Sequence, residues 1–66
     1  MNVQVNGEAK ELPAGATVSE LLDALGLNRD GVAVAVDGRV VPRTQHQSTA
    51  LEDGAKVEVI RAVGGG

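Results

Sequence analysis

Cysteine is absent from the 66 residues, which removes disulfides, thiolate nucleophiles and thiolate metal sites together. Phe, Tyr and Trp are absent as well, so none of their rings is available for stacking on bases, for cation–π capture or for the lining of a typical small-ligand pocket. Basic charge is scarce: 6 Lys and Arg face 9 Asp and Glu, for a net charge of −3. Neither nucleic acid nor an anionic membrane surface is therefore an expected partner, since both demand clustered Lys and Arg. A basic surface on a partner protein fits better. No apolar run approaches the ~20 residues of a membrane-spanning helix. The opening Met1-Asn2-Val3-Gln4-Val5 has neither a basic n-region nor an apolar h-region, and a soluble, cytoplasmic protein is expected. No glycine-rich loop is followed by Lys, so a phosphate-cradling loop is not expected. The single histidine, His46, has no Ser or Cys partner and no second ligand at a helical or strand spacing. It reads as a surface residue, and neither a catalytic residue, a metal site nor a bound cofactor is expected in the chain itself.

What the chain does have is small aliphatic residues. Hydrophobic residues make up 42% of it, among them eleven valines, nine alanines and six leucines, well above the signature of a disordered chain. A domain of this size buries only about 60% of the surface its unfolded chain exposes, so one domain with a thin core is expected.

Read in order, Val3 and Val5 alternate with Asn2 and Gln4, as in a strand with one buried face, and Asn6-Gly7 is a strong hairpin signal. The return strand, Glu8-Ala9-Lys10-Glu11-Leu12, is mostly charged, which suits a sheet edge, and Pro13 ends it. Thr17-Val18-Ser19-Glu20 has the form of a capping box, predicting a helix that begins at Val18. Val18, Leu21, Leu22 and Leu25 form one apolar stripe, Gly26 can close the helix in the left-handed conformation, and Leu27 folds back as its hydrophobic partner. Such a short helix must be held by packing onto a sheet.

Val32-Ala33-Val34-Ala35-Val36 is the cleanest strand pattern. Its valines share one face and its two alanines leave the other nearly flat, as expected of a central strand able to accept a neighbouring surface. Asp37-Gly38 is a second hairpin turn, and Arg39-Val40-Val41 the short return strand, ended by Pro42. Residues 43–50 lack apolar periodicity and read as a connection holding one short helical turn. Leu51 is expected to plug the core beside the Glu52-Asp53-Gly54 turn. The last strand runs from Ala55 to Val63, with Val57, Val59 and Val63 on one face and Ile60 and Ala62 on the other. Asp30, Asp37 and Asp53 each precede a glycine and read as turn residues. Arg43 and Arg61 stand out among the charges, since Arg61 lies close to the tail and is placed to pair with acidic groups on a partner, but a solvated face is the favoured reading.

Strand, helix and strand in this order predict an α+β fold: one mixed sheet packed on one main helix, a β-grasp arrangement spanning residues 1–63. Residues 64–66 then form a flexible glycine tail ending in a carboxylate. Without side chains, Gly64, Gly65 and Gly66 can enter a slot too narrow for other residues and present that carboxyl unshielded. The tail alone fits equally a reactive terminus and a frayed end.

A β-grasp domain ending in glycines is the ubiquitin-like architecture, and the chain resembles the ThiS family, the sulfur carriers of bacterial thiamine biosynthesis. The resemblance rests on Asn6-Gly7, on Gly15-Ala16-Thr17-Val18-Ser19-Glu20-Leu21-Leu22, on Val34-Ala35-Val36-Asp37-Gly38 with Val40-Val41-Pro42-Arg43, on Leu51-Glu52-Asp53-Gly54, and on Gly65-Gly66. It implies that a ubiquitin-activating-type adenylyltransferase, using ATP and Mg²⁺, adenylates Gly66. Sulfur from a persulfide then converts it to a thiocarboxylate that serves thiazole synthase. Gly65 and Gly64 would thread the partner's channel, although the family pattern needs two glycines where this chain has three. Ile60, Ala62 and Arg61 are the candidates for a partner-facing surface. Two alternatives stay open: a carrier feeding molybdopterin or cysteine synthesis, against which the length and missing aromatics count, and a ubiquitin-like interaction domain or modifier whose tail is inert or forms an isopeptide.

Overall fold

The computed structural model describes residues 1–27 and 31–61. Strands β1 (Asn2–Val5) and β2 (Glu8–Glu11) form the first hairpin, and the helix α1 (Val18–Leu25) follows. Strands β3 (Val32–Val36) and β4 (Arg39–Val41) form the second hairpin, a 3₁₀ helix covers Arg43–Gln45, and β5 (Lys56–Arg61) closes the sheet. The order across the sheet is β2-β1-β5-β3-β4. Only the β1–β5 pair is parallel among neighbouring strands of the described residues; the rest are antiparallel. This is the mixed sheet on one helix that the pattern predicts. The valine-rich β3 is an interior strand as expected, flanked by β5 and β4, and the middle position of the sheet belongs to β5. The strands flanking the helix in sequence, β2 and β3, are not neighbours, because the first and last strands lie between them.

The helix is fixed at both ends by its own residues. Thr17 accepts the Glu20 backbone N–H at 3.2 Å, while the Glu20 carboxylate accepts the Thr17 N–H at 2.9 Å, the reciprocal pair of a capping box. At the other end Gly26 adopts φ 72°, and Gly26 and Leu27 donate to the carbonyls of Asp23 and Leu22. That is the Schellman geometry, which needs a left-handed residue where Gly26 stands. Between the caps Val18, Leu21 and Leu22 are fully buried against Val3, Val34, Val57 and Val59 of the sheet, and Leu25 and Leu27 pack at the margin. Leu51 is buried as expected.

The two remaining N–H groups of the first helical turn go to the 43–50 connection. Val18 donates to the Thr49 carbonyl at 3.0 Å and Ser19 to the His46 carbonyl at 2.9 Å. His46 itself is 6% exposed, and its Nε2 lies 3.1 Å from the Val41 carbonyl. The sequence reading as a surface residue is therefore corrected: the imidazole is an internal tie between the connection and β4. Burial is possible because the ring nitrogen finds the Val41 carbonyl as its partner, while the rest of the imidazole fills space beside the core.

Candidate functional site

The candidate chemistry lies at the end of β5, so the first question is how that strand is held. Lys56–Arg61 is gripped on both flanks, by Gln4 and Val5 of β1 and by all five residues of β3. Period-2 alternation then sorts its side chains. Val57 and Val59 are buried, whereas Lys56, Glu58 and Ile60 point to the solvent face. Ile60 is 62% exposed and lies directly opposite Ala33. Arg61 is exposed and pairs with Val32, which places it on the face of Val57 and Val59, opposite to Ile60. The two described candidates for a partner-facing surface therefore project to different sides of β5. Ala62, Gly64, Gly65 and Gly66 lie outside the described residues.

Ile60 does not stand alone. On the same face Ala33 and Ala35 succeed each other along β3, and Ala35 is opposite Val40 of β4. Val40 is 75% exposed. Ile60, Ala33, Ala35 and Val40 thus form an apolar strip across three strands, bordered by Glu58, which also faces Ala35. Ile60 and Val40 are the exposed large hydrophobic residues among the described ones. An apolar patch shared by adjacent strands, with a charged border, has the character of an interaction surface. Its alanines were legible as a flat strand face. Val40 was missed, although the signal was present: consecutive valines in a two-faced strand must point one of them outward.

The turn aspartates do more than shape turns. Asp37, at φ 50°, accepts the Lys56 N–H on its side chain at 3.0 Å and donates its own N–H to the Lys56 carbonyl at 2.8 Å. Asp53 accepts the Asn2 N–H at 2.7 Å. Each carboxylate continues a strand ladder where the neighbouring backbone has turned away. Asp30 lies outside the described residues. Arg43 lines a polar depression of about 270 Å³ with Ser19, Thr44, His46 and Gln47, none of them on β5. Among the described residues no three His, Asp or Glu side chains gather to hold a metal ion, and no helix is long and apolar enough to cross a membrane. What the described surface offers is a strand held on both flanks, the last described element before the glycines in sequence, beside an apolar face.

Comparison with known proteins bears on what such a surface serves. The model of the ThiS family matches residues 3–66. A thiazole synthase of Paramagnetospirillum magneticum is 36% identical over 66 residues, all of this chain but 20% of that protein. The sulfur carrier protein ThiS of Escherichia coli is 33% identical over 66 residues, the whole of both chains. The chain thus spans a fifth of the first relative and the full length of the second. The crystal structure of the thiamine biosynthesis protein ThiS from Geobacter metallireducens superposes with a TM-score of 0.84 at 35% identity, covering all of both chains.

Proposed function

This chain belongs to the ThiS family, and from that premise we propose that it is a sulfur carrier protein of thiamine biosynthesis whose Gly66 carboxyl carries the sulfur. The observation that carries this reading is the end-to-end match with a sulfur carrier protein, on a fold whose central strand is the last element before the three terminal glycines in sequence.

A carboxylate is a poor electrophile because it is anionic and resonance-stabilised. A ubiquitin-activating-type adenylyltransferase with ATP and Mg²⁺ replaces that charge with a leaving group: the carboxylate oxygen attacks the α-phosphorus, and pyrophosphate departs. The terminal sulfur of a persulfide then attacks the acyl carbon and AMP leaves. A thiol cleaves the sulfur–sulfur bond, forming a disulfide with the donor and freeing the thiocarboxylate. The chain is the cosubstrate in these steps, not their catalyst. Its own contribution is delivery. Three extended residues reach roughly 10 Å, enough to place Gly66 inside an active site while the domain stays outside, with Gly65 and Gly64 in the channel. The apolar strip of Ile60, Ala33, Ala35 and Val40 is the face that the adenylyltransferase covers, because it adjoins the strand whose end that enzyme must handle.

Thiazole synthase is the acceptor in this reading. Support comes from two proteins of that name in which a segment resembles the whole of this chain, at 36% and 35% identity and 20% of each protein's length. Carrier-like and thiazole-forming portions thus share one polypeptide there, which favours thiamine over molybdopterin or cysteine synthesis. Deleting Gly65 and Gly66 should leave the fold intact and abolish thiazole formation in a reconstituted assay. A truncated chain that still supports thiazole formation would refute the proposal.

A further inference from the structure

β1 and β5 run side by side for only two paired positions, Gln4 with Lys56 and Val5 with Val57. The chain then reverses at Asn6 and Gly7, whose φ angles are 50° and 85°. Along the flank that β5 turns toward β1, the Ala55 carbonyl accepts the Gln4 N–H and the Val57 carbonyl accepts the Asn6 N–H, each at 2.9 Å. At Val59 no backbone of β1 remains. The Asn6 carboxamide takes its place: Val59 N–H donates to Oδ1 at 2.9 Å, and Nδ2 donates to the Val59 carbonyl at 3.2 Å. A primary carboxamide offers the same donor and acceptor as a peptide unit, so it adds one rung to the ladder without adding a strand.

Val59 is two residues from Arg61, where the described part of β5 ends. On the other flank β3 holds Ile60 and Arg61 through Ala33 and Val32. Among the described residues the Asn6 side chain is thus the last hold on β5 from the β1 flank. The carboxyl lies five residues further along the sequence, so its delivery starts from the strand end that this rung holds, and added freedom there widens the set of positions to be searched before the carboxyl is in place. We infer that Asn6 is a positioning residue for carboxyl delivery: its carboxamide holds β5 at Val59, close to the last described residue before the glycines in sequence. This rests on the sulfur-carrier reading. It predicts an effect on turnover and not on docking, since the apolar strip lies on the sheet face and the Asn6 clamp lies in the ladder at its flank.

Asn6→Gly separates the roles, because glycine adopts a positive φ readily and keeps the turn while deleting the carboxamide. Amide hydrogen exchange should accelerate about tenfold or more at Val59 and stay unchanged at Val34. With the adenylyltransferase, kcat for pyrophosphate release should fall about tenfold while KM for the carrier stays within about twofold. Asn6→Asp keeps the acceptor for the Val59 N–H but loses the donor, and should give intermediate values in both measurements. If Asn6→Gly fails to fold, Asn6→Asp carries the comparison. An unchanged kcat alongside a faster Val59 amide would overturn the positioning role, as would a raised KM at constant kcat, which would assign Asn6 to docking. An unchanged Val59 exchange rate would show that the clamp does not hold in solution and would overturn it too. A wild-type chain that releases no pyrophosphate would instead refute the carrier reading, and the inference with it, while the exchange data would still report on the clamp.

Discussion

Ile60 faces Ala33 across the solvent side of the sheet, and because alanine is so short, the isoleucine stands proud of its neighbours. With Val40 beyond Ala35, it gives the sheet an apolar ridge beside the exit of β5. Ile60→Asp should cost the fold no more than about 1 kcal/mol, the span of strand propensities at an exposed site. The same change should raise KM for the adenylyltransferase tenfold or more, because a central apolar anchor of an interface is worth about 2 kcal/mol or above. Arg61→Ala, on the opposite face, should change KM by less than about threefold, the scale of an exposed ion pair. Thermal unfolding and steady-state kinetics of both variants check this; a larger effect from Arg61 would relocate the docking surface to the helix side.

Leu22 is 1% exposed, within the stripe that α1 presses onto the sheet. Leu22→Ala should destabilise the domain by roughly 2–5 kcal/mol, a large share of what so small a core supplies. Urea unfolding measures it directly. A loss below about 1 kcal/mol would mean that the site collapses around the deletion or that the helix is rotated from the orientation described.

Thr17 carries both halves of the helix start, as it bonds with Glu20 through side chain and backbone. Thr17→Ala should cost about 1 kcal/mol, and Thr17→Ser should recover most of that loss. Equal losses for the two variants would show that the methyl group, and not the hydroxyl, is what the position requires.

His46→Leu removes the hydrogen bond that the buried ring makes to the Val41 carbonyl. A loss of about 1 kcal/mol is expected in denaturant unfolding. Thiocarboxylate formation per folded molecule should be unchanged. A folded variant that no longer accepts sulfur would give His46 a functional role beyond this tie.

The elements legible in the sequence are those set by a few adjacent residues. Thr17 with Glu20, Gly26 with Leu27, and the Asn6-Gly7 and Asp37-Gly38 turns dictate local backbone conformation, and each is formed as the pattern predicts. Period-2 alternation likewise placed Ile60 outward. Illegible were the relationships that need a distant partner. Nothing local tells Lys56 that Gln4 will lie beside it, so the central position of β5 was not foreseen. The His46 tie to Val41, and the side chains of Asn6, Asp37 and Asp53 that finish strand ladders, depend on where tertiary folding leaves a peptide group unpaired. Of the candidate site, Ile60 and the alanine face could be read in advance. Val40 and the Asn6 clamp required the strand order.

The most direct test of the central claim is the intact mass of the chain after incubation with ATP, Mg²⁺, a persulfide donor, a thiol and the cognate adenylyltransferase. The account predicts a gain equal to replacing one oxygen by sulfur, located by fragmentation at Gly66 and absent when Gly66 is deleted. No gain, in a reaction where the E. coli carrier is converted, would contradict it.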